Sequence, residues 1–262
     1  MVERRYFHDL FGGEAKMGDI AETVILVNDP LSVEPLTDVI DEKVSVANHY
    51  QFRVVTGTWM ESPITVCSTG IGGGSTSIAV DNLVRLGTKT ILYVDAGNSG
   101  TGDYGPFLST GAVRRDGASL DYVRAEYPAV ADPEVFMACV AASRDLELPI
   151  KPALMWASAG PLTPGEVQGC ETYSTNLATV GNKFVPGMPA TGPEVATTLT
   201  LCTLYRVRGC AIYIGVEKPS EVFRFVRQYF QLALRAVTIL NEWDLRKARL
   251  GWKMMTPPAI VK

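Results

Sequence analysis

The chain has 262 residues, a length that suits one large domain or two small ones. Apolar residues make up 47% and charged residues 20%, which supports a packed core and excludes a chain too polar to fold. A net charge of −4, from 24 basic and 28 acidic residues, argues against a general nucleic-acid or anionic-membrane surface, which needs a basic excess. In chain order, the N-terminal Met-Val-Glu-Arg-Arg-Tyr-Phe-His lacks the apolar stretch of a signal peptide. Val24 to Val27 predicts a buried strand ending at the turn Asn28-Asp29-Pro30. Ile64 to Cys67 predicts a second strand, running into a glycine-rich turn from Gly70 through Gly72, Gly73 and Gly74. Apolar residues from Ile78 to Leu86 follow at helical spacing, with Gly87 as a stop. Ile91 to Val94 predicts a third strand. Pro133 to Leu146 predicts a helix with Asp132 as its N-cap. Pro149 to Gly192, rich in Gly, Pro, Ser and Thr, predicts an irregular or mobile flap. Glu194 to Val207 predicts a helix, Ala211 to Val216 a strand and Ser220 to Leu240 a long final helix.

Strands alternating with helices of this length imply an α/β domain with a mainly parallel central sheet. No run of about 18 apolar residues exists, so no membrane span is expected. The two histidines, His8 and His49, and the five cysteines show no zinc-type spacing, so no metal site is expected. Scattered cysteines in apolar contexts predict buried thiols of a reducing compartment. Arg114, Arg115 and Asp116 predict structural ion pairs. The stretch 241–262 differs in composition, with Arg246, Arg249 and other cations beside Trp243 and Trp252. It reads either as a surface helix and tail of the same domain or as a basic, aromatic docking arm.

The turn at Gly70 to Gly74 could cradle an anion with backbone amides, or could serve only close strand-to-helix packing. Its surroundings carry more information. Val66-Cys67-Ser68-Thr69-Gly70-Ile71-Gly72-Gly73-Gly74-Ser75-Thr76-Ser77-Ile78-Ala79-Val80 resembles the signature of the uridine phosphorylases, within the nucleoside phosphorylase superfamily. Gly111 to Leu120 with Tyr127 to Asp132, and Glu194 to Cys202, resemble later blocks of the same family, and Asn28-Asp29-Pro30 falls at its Gly-Asp-Pro turn. The blocks keep their order from about Phe7 to Leu240. The resemblance implies a nucleoside phosphorylase-like domain over residues 1–240. Its mixed, mainly parallel and partly barrel-like sheet would be flanked by helices, with 241–262 as an extension. It also implies phosphorolysis of a pyrimidine ribonucleoside to base and ribose 1-phosphate, with no cofactor or metal.

Carried over residue by residue, the resemblance implies a changed site. The family glycine near phosphate matches Asn28, and its three phosphate arginines match Ser32, Tyr50 (in place of one donated across the dimer interface) and Tyr93. The phosphate-facing threonine stretch becomes Asp95-Ala96-Gly97-Asn98. Of the ribose-binding Glu-Met-Glu only Glu194 stands, in Gly192-Pro193-Glu194, and His8 could still reach a neighbour's ribose. Pro164-Gly165-Glu166-Val167-Gln168 lacks the base-reading match, and Glu217-Lys218 falls at the late-loop arginine. The expectation is a catalytically degenerate relative, a structural or regulatory subunit of an oligomer or larger assembly. Its partner would be itself, an active paralogue or a larger complex. The alternative is an active phosphorylase or nucleosidase with a rebuilt pocket. The expected compartment is cytoplasmic or mitochondrial, without secretion.

Overall fold

The computed structural model describes residues 15–98, 102, 104–159 and 188–253. His8, Cys170 and the Pro164 to Gln168 stretch lie outside the described residues. Strand β1 (Thr23–Val27) is buried at all five positions. It pairs in parallel with β4 (Ser62–Ser68) on one side and β5 (Thr90–Asn98) on the other. A strand covered on both faces and both edges reads as a continuous apolar run rather than an alternating one. Strand β10 (Arg208–Val216) lies parallel on the far side of β5. The hairpin β2 (Asp41–His49) and β3 (Phe52–Trp59) extends the sheet beyond β4. Beyond β10 the sheet turns antiparallel at β6 (Gly105–Arg115). It then continues in parallel through β8 (Lys151–Ser158) and β9 (Ala190–Thr191), while the short β7 (Ala129–Val130) pairs with β6. The spatial order is β2-β3-β4-β1-β5-β10-β6-β8-β9.

Successive residues of a strand point to opposite faces, and both faces of this sheet are packed. Ile25, Ile64, Leu92 and Ile212 meet the helices α1 (Val33–Thr37), α3 (Pro133–Asp145) and α5 (Val222–Leu250). Val24, Cys67, Ile91, Tyr93, Ala211 and Tyr213 meet α2 (Gly73–Arg85) and α4 (Glu194–Tyr205) on the other face. Helix α4 is buried along its first nine residues, because it lies between the sheet and α2. Asp132 caps α3, accepting from the amides of Glu134 and Val135. Cys67, Cys139, Cys202 and Cys210 are buried free thiols. Among the described residues no helix is long and apolar enough to cross a membrane.

The structure departs from the sequence expectations at definite places. The central strand expected at Ile91 to Val94 runs on to Asn98, because β10 pairs with it up to Val216↔Asn98. The segment expected to be irregular contributes two strands, β8 and β9, at its ends, and residues 160–187 lie outside the described residues. Arg114 does not pair with Asp116. It donates to the carbonyls of Arg124, Tyr127, Ser119 and Val123 and so gathers the turn after β6. The final helix does not stop at Leu240 but continues to Leu250. Trp243, expected in an exposed arm, is only 8% exposed. It is held there because Asp244, the next residue, and Lys247, one turn on, bond Arg208 of β10 and Glu134 of α3. Arg246, Arg249 and Trp252 are exposed.

Candidate functional site

The parallel strands β4, β1, β5 and β10 point their C-terminal ends to one edge of the sheet, the usual place for a ligand in such folds. The glycine-rich turn lies there. Its start is hooked to the end of β1, with the Thr69 amide on the Val27 carbonyl and the Gly70 amide on the Asn28 carbonyl. Gly72 has a φ of +114°, a conformation that side chains rarely permit. Gly73 then opens α2 against α4. A Cβ at Gly73 would stand 2.8 Å from Thr197 Oγ1, so only glycine allows this approach. The start of α2 has no cap from its own side chains. Glu194, 122 residues further on, supplies one: the Gly72 amide donates to Glu194 Oε1 at 2.6 Å. A carboxylate at a helix start is favoured by the exposed amides and the macrodipole. The amide thought available for an anion is thus held by a carboxylate of the chain itself.

Asp116 ties the turn after β6 to α4 close by. Its carboxylate accepts from the Ser119 amide, the Ser119 hydroxyl and Thr197 Oγ1, one turn along α4 from Glu194. Glu194 is 2% exposed. Burial raises its pKa, and the Gly72 and Glu194 amides partly oppose that.

Beside Glu194 the end of β5 places Tyr93, Asp95 and Gly97 on one face. Asp95 Oδ2 accepts from Tyr93 Oη at 3.1 Å and from Asn28 Nδ2 at 3.4 Å. Burial and the neighbouring charge of Glu194 lift the Asp95 pKa to about 7, against hydrogen bonds from the Ala96 amide, Tyr93 and Asn28. Burial and the charges of Asp95 and Glu194 also raise the pKa of Tyr213 on β10, as they do for Tyr93, so both phenols stay neutral. A Cβ at Gly97 would lie 2.8 Å from Tyr213 Oη, so the glycine makes room for that phenol. A cavity of about 260 Å³ opens at the strand ends, with Asn28, Asp29, Ser32 and Asp95 as its polar wall and Val222 and Phe223 of α5 among its apolar one. Among the described residues lining it there is no lysine or arginine. Among the described residues no group of three or more His, Cys, Asp or Glu side chains is placed to hold a metal ion.

Asn28, Ser32, Tyr93, Gly97, Glu194 and Gly72, singled out from the sequence, are therefore gathered at one edge of the sheet. Tyr50, matched to an arginine that the resemblance has reaching across a subunit interface, stands 77% exposed on the tip of the β2–β3 hairpin, away from its own chain's cluster, with a φ of +52°. Sequence reasoning missed Tyr213, which carries no motif and enters only because β10 inserts beside β5. It also missed that Asp95 is held by Asn28 and Tyr93. The alternation of β5 carries that signal, since residues 93 and 95 share a face.

The same architecture occurs among solved structures. Purine nucleoside phosphorylase from Toxoplasma gondii, in complex with immucillin-H, superposes with a TM-score of 0.72 at 20% identity, covering 88% of this chain and 97% of that one. The fold is that of the nucleoside phosphorylases. The chain belongs to the Phosphorylase superfamily, whose family model matches residues 22–222. Its curated relatives include the uridine phosphorylase of Thermococcus kodakarensis, 33% identical over 256 residues that cover 92% of this chain and 90% of the relative. The uridine phosphorylase of Escherichia coli K12 is 35% identical over 238 residues, covering 85% and 90%.

Proposed function

We propose that this chain binds a ribonucleoside in a pocket rebuilt to work without phosphate, and that it cleaves the N-glycosidic bond with water. The observation that carries this reading is the Asp95 carboxyl in the wall of the cavity at the strand ends, where the resemblance implies phosphate, with the charge of Glu194 acting on it from the start of α4. No cation lines the cavity among the described residues. A phosphate dianion needs charge-assisted donors worth roughly 1.5–3 kcal/mol each, and an acid in the same place repels it. Glu194 stands where the resemblance puts a ribose-binding acid, and the uridine phosphorylase relatives favour a pyrimidine ribonucleoside. No cofactor or metal is part of the reading.

The test is product analysis with uridine, with and without phosphate. Uracil and free ribose should appear at a rate that phosphate does not change. Ribose 1-phosphate, formed only when phosphate is present, would place the chain with its relatives' reaction instead.

A second reading is a catalytically degenerate, structural or regulatory subunit, paired with itself, an active paralogue or a larger complex in the cytoplasm or mitochondrion. Two observations favour it: Glu194 already satisfies the Gly72 amide, and the end of α5 exposes Leu245, Leu250 and Trp252. Its mark is the absence of nucleoside binding by calorimetry, with a co-purifying partner that Leu245→Glu and Trp252→Glu release. Removing 241–262 is a poor test of it, because Trp243, Asp244 and Lys247 belong to the packed domain.

A further inference from the structure

We propose that Asp95 is the base that takes a proton from the attacking water, in the cavity at the ends of β1 and β5. The proposal rests on the phosphate-free reading above and names the residue that would replace phosphate's role. Asp95 forms part of the wall of a cavity of about 260 Å³, room for several waters at roughly 30 Å³ each. An ionised carboxylate has about four acceptor directions. Tyr93 Oη, Asn28 Nδ2 and the Ala96 amide use three of them, which fixes the group's orientation and leaves one direction for a water.

The other acids nearby are committed elsewhere. Asp29 accepts from the Leu31 amide through Oδ1 and from the Ser32 hydroxyl through Oδ2, capping the turn after β1. Glu194 is bound to the Gly72 amide. Asp95 is the acid of the cavity wall held by the side chains of Tyr93 and Asn28 rather than spent on capping a turn or a helix start.

The step balances without any further reagent. An O–H bond of water breaks and its proton passes to the Asp95 carboxylate. The water oxygen bonds to the anomeric carbon as the bond from that carbon to the base nitrogen breaks, and the electron pair leaves on the base. The proton held by Asp95 returns through solvent to the departing base. Nucleoside and water give base and ribose. The titratable groups facing Asp95 are Tyr93 on the same strand, Tyr213 from β10, Glu194 from α4 and Asp29 from the turn after β1. The segment from Pro219 to Val226 adds only Pro219, Ser220, Val222, Phe223 and Val226 to the wall, none of them charged.

The experiment uses uridine without phosphate. In the wild type, kcat should rise with pH through about 7, where Asp95 loses its proton. Asp95→Asn should lower kcat by roughly 10²–10⁴-fold, leave KM near its wild-type value and abolish that rise. Tyr93→Phe removes a hydrogen bond that favours the ionised carboxylate, so the rise should move up by about half a pH unit. This second variant keeps the proposal testable if the asparagine chain fails to fold. An Asp95→Asn enzyme within threefold of wild type, or a Tyr93→Phe profile that does not move, overturns the role of Asp95 while leaving phosphate-free cleavage standing. A wild type that releases no uracil without phosphate overturns both.

Discussion

Replacing Asp95 by asparagine should stabilise the protein in mild alkali relative to mild acid. The folded carboxyl holds its proton up to about pH 7, against an ordinary value of 3.8. A carboxyl that binds its proton more tightly when folded supports the fold below the lower value. That support drains away as pH climbs from about 4 to 7. Each pH unit between the two values is worth about 1.4 kcal/mol. At pH 5 the loss is about 1.7 kcal/mol and at pH 8.5 about 4.3 kcal/mol, so about 2.6 kcal/mol accrues between them. This is an upper bound, because Asp95 is only partly buried and solvent screens the charge. Asparagine keeps an oxygen for Tyr93 and Asn28 but cannot ionise, so it lacks this pH-dependent penalty. Urea denaturation of both proteins at pH 5 and pH 8.5 measures the difference. The variant should gain about 1–2.5 kcal/mol on the wild type between the two pH values. A constant offset cancels in the comparison, including any cost of the altered Ala96 amide contact. Equal pH dependence in the two proteins would refute the claim that Glu194 and burial hold Asp95 protonated.

Other consequences are as direct. Glu194→Ala leaves the Gly72 amide without its carboxylate and should cost about 1–3 kcal/mol in urea denaturation, with loss of any nucleoside affinity by calorimetry. Gly97→Ala puts a methyl 2.8 Å from Tyr213 Oη, and overpacking of that kind should lower stability by about 1–3 kcal/mol, with Gly97→Ala/Tyr213→Phe recovering much of it. Arg208→Ala should cost about 2–4 kcal/mol, since Glu134 and Asp244 lose a shared cation in a half-buried network. In that network burial pushes the Asp244 carboxyl up, but hydrogen bonds from Arg208 and Lys247 outweigh it and hold the pKa below 3.8. Its contribution is therefore present above the ordinary value and lost as pH falls, and the Arg208→Ala deficit should shrink in acid.

The sequence carries most of the frame because the frame is local. Val24 to Val27 is buried on every side and spells a continuous apolar run, and Asp132-Pro133 marks the start of α3 with a cap and a proline at the first turn. Strands β6 and β8 are less visible. Their runs contain Gly111, Pro106 and Pro152 and are held by partners far along the chain. The end of α5 was obscured by composition: charged residues after Leu240 look like a tail, yet Asp244 and Lys247 spend their charges inward on Arg208 and Glu134. The site was legible as a set of positions but not as a set of bonds. Asn28 and Asp95 are 67 residues apart and Gly72 and Glu194 are 122 apart, and no local pattern announces either contact.

Strand β10 is among the last elements in the chain yet sits in the middle of the sheet, between β5 and β6. During synthesis, β5 and β6 emerge long before the strand that separates them, and each waits with an unpaired edge. Exposed edges of this kind pair with other chains, and contacts closed so late make folding slow. A ribosome-bound or truncated chain that stops near residue 207 therefore has an open seam through its centre rather than a missing end. Such fragments should be held by chaperones or aggregate, whereas the full chain closes the seam in one late step.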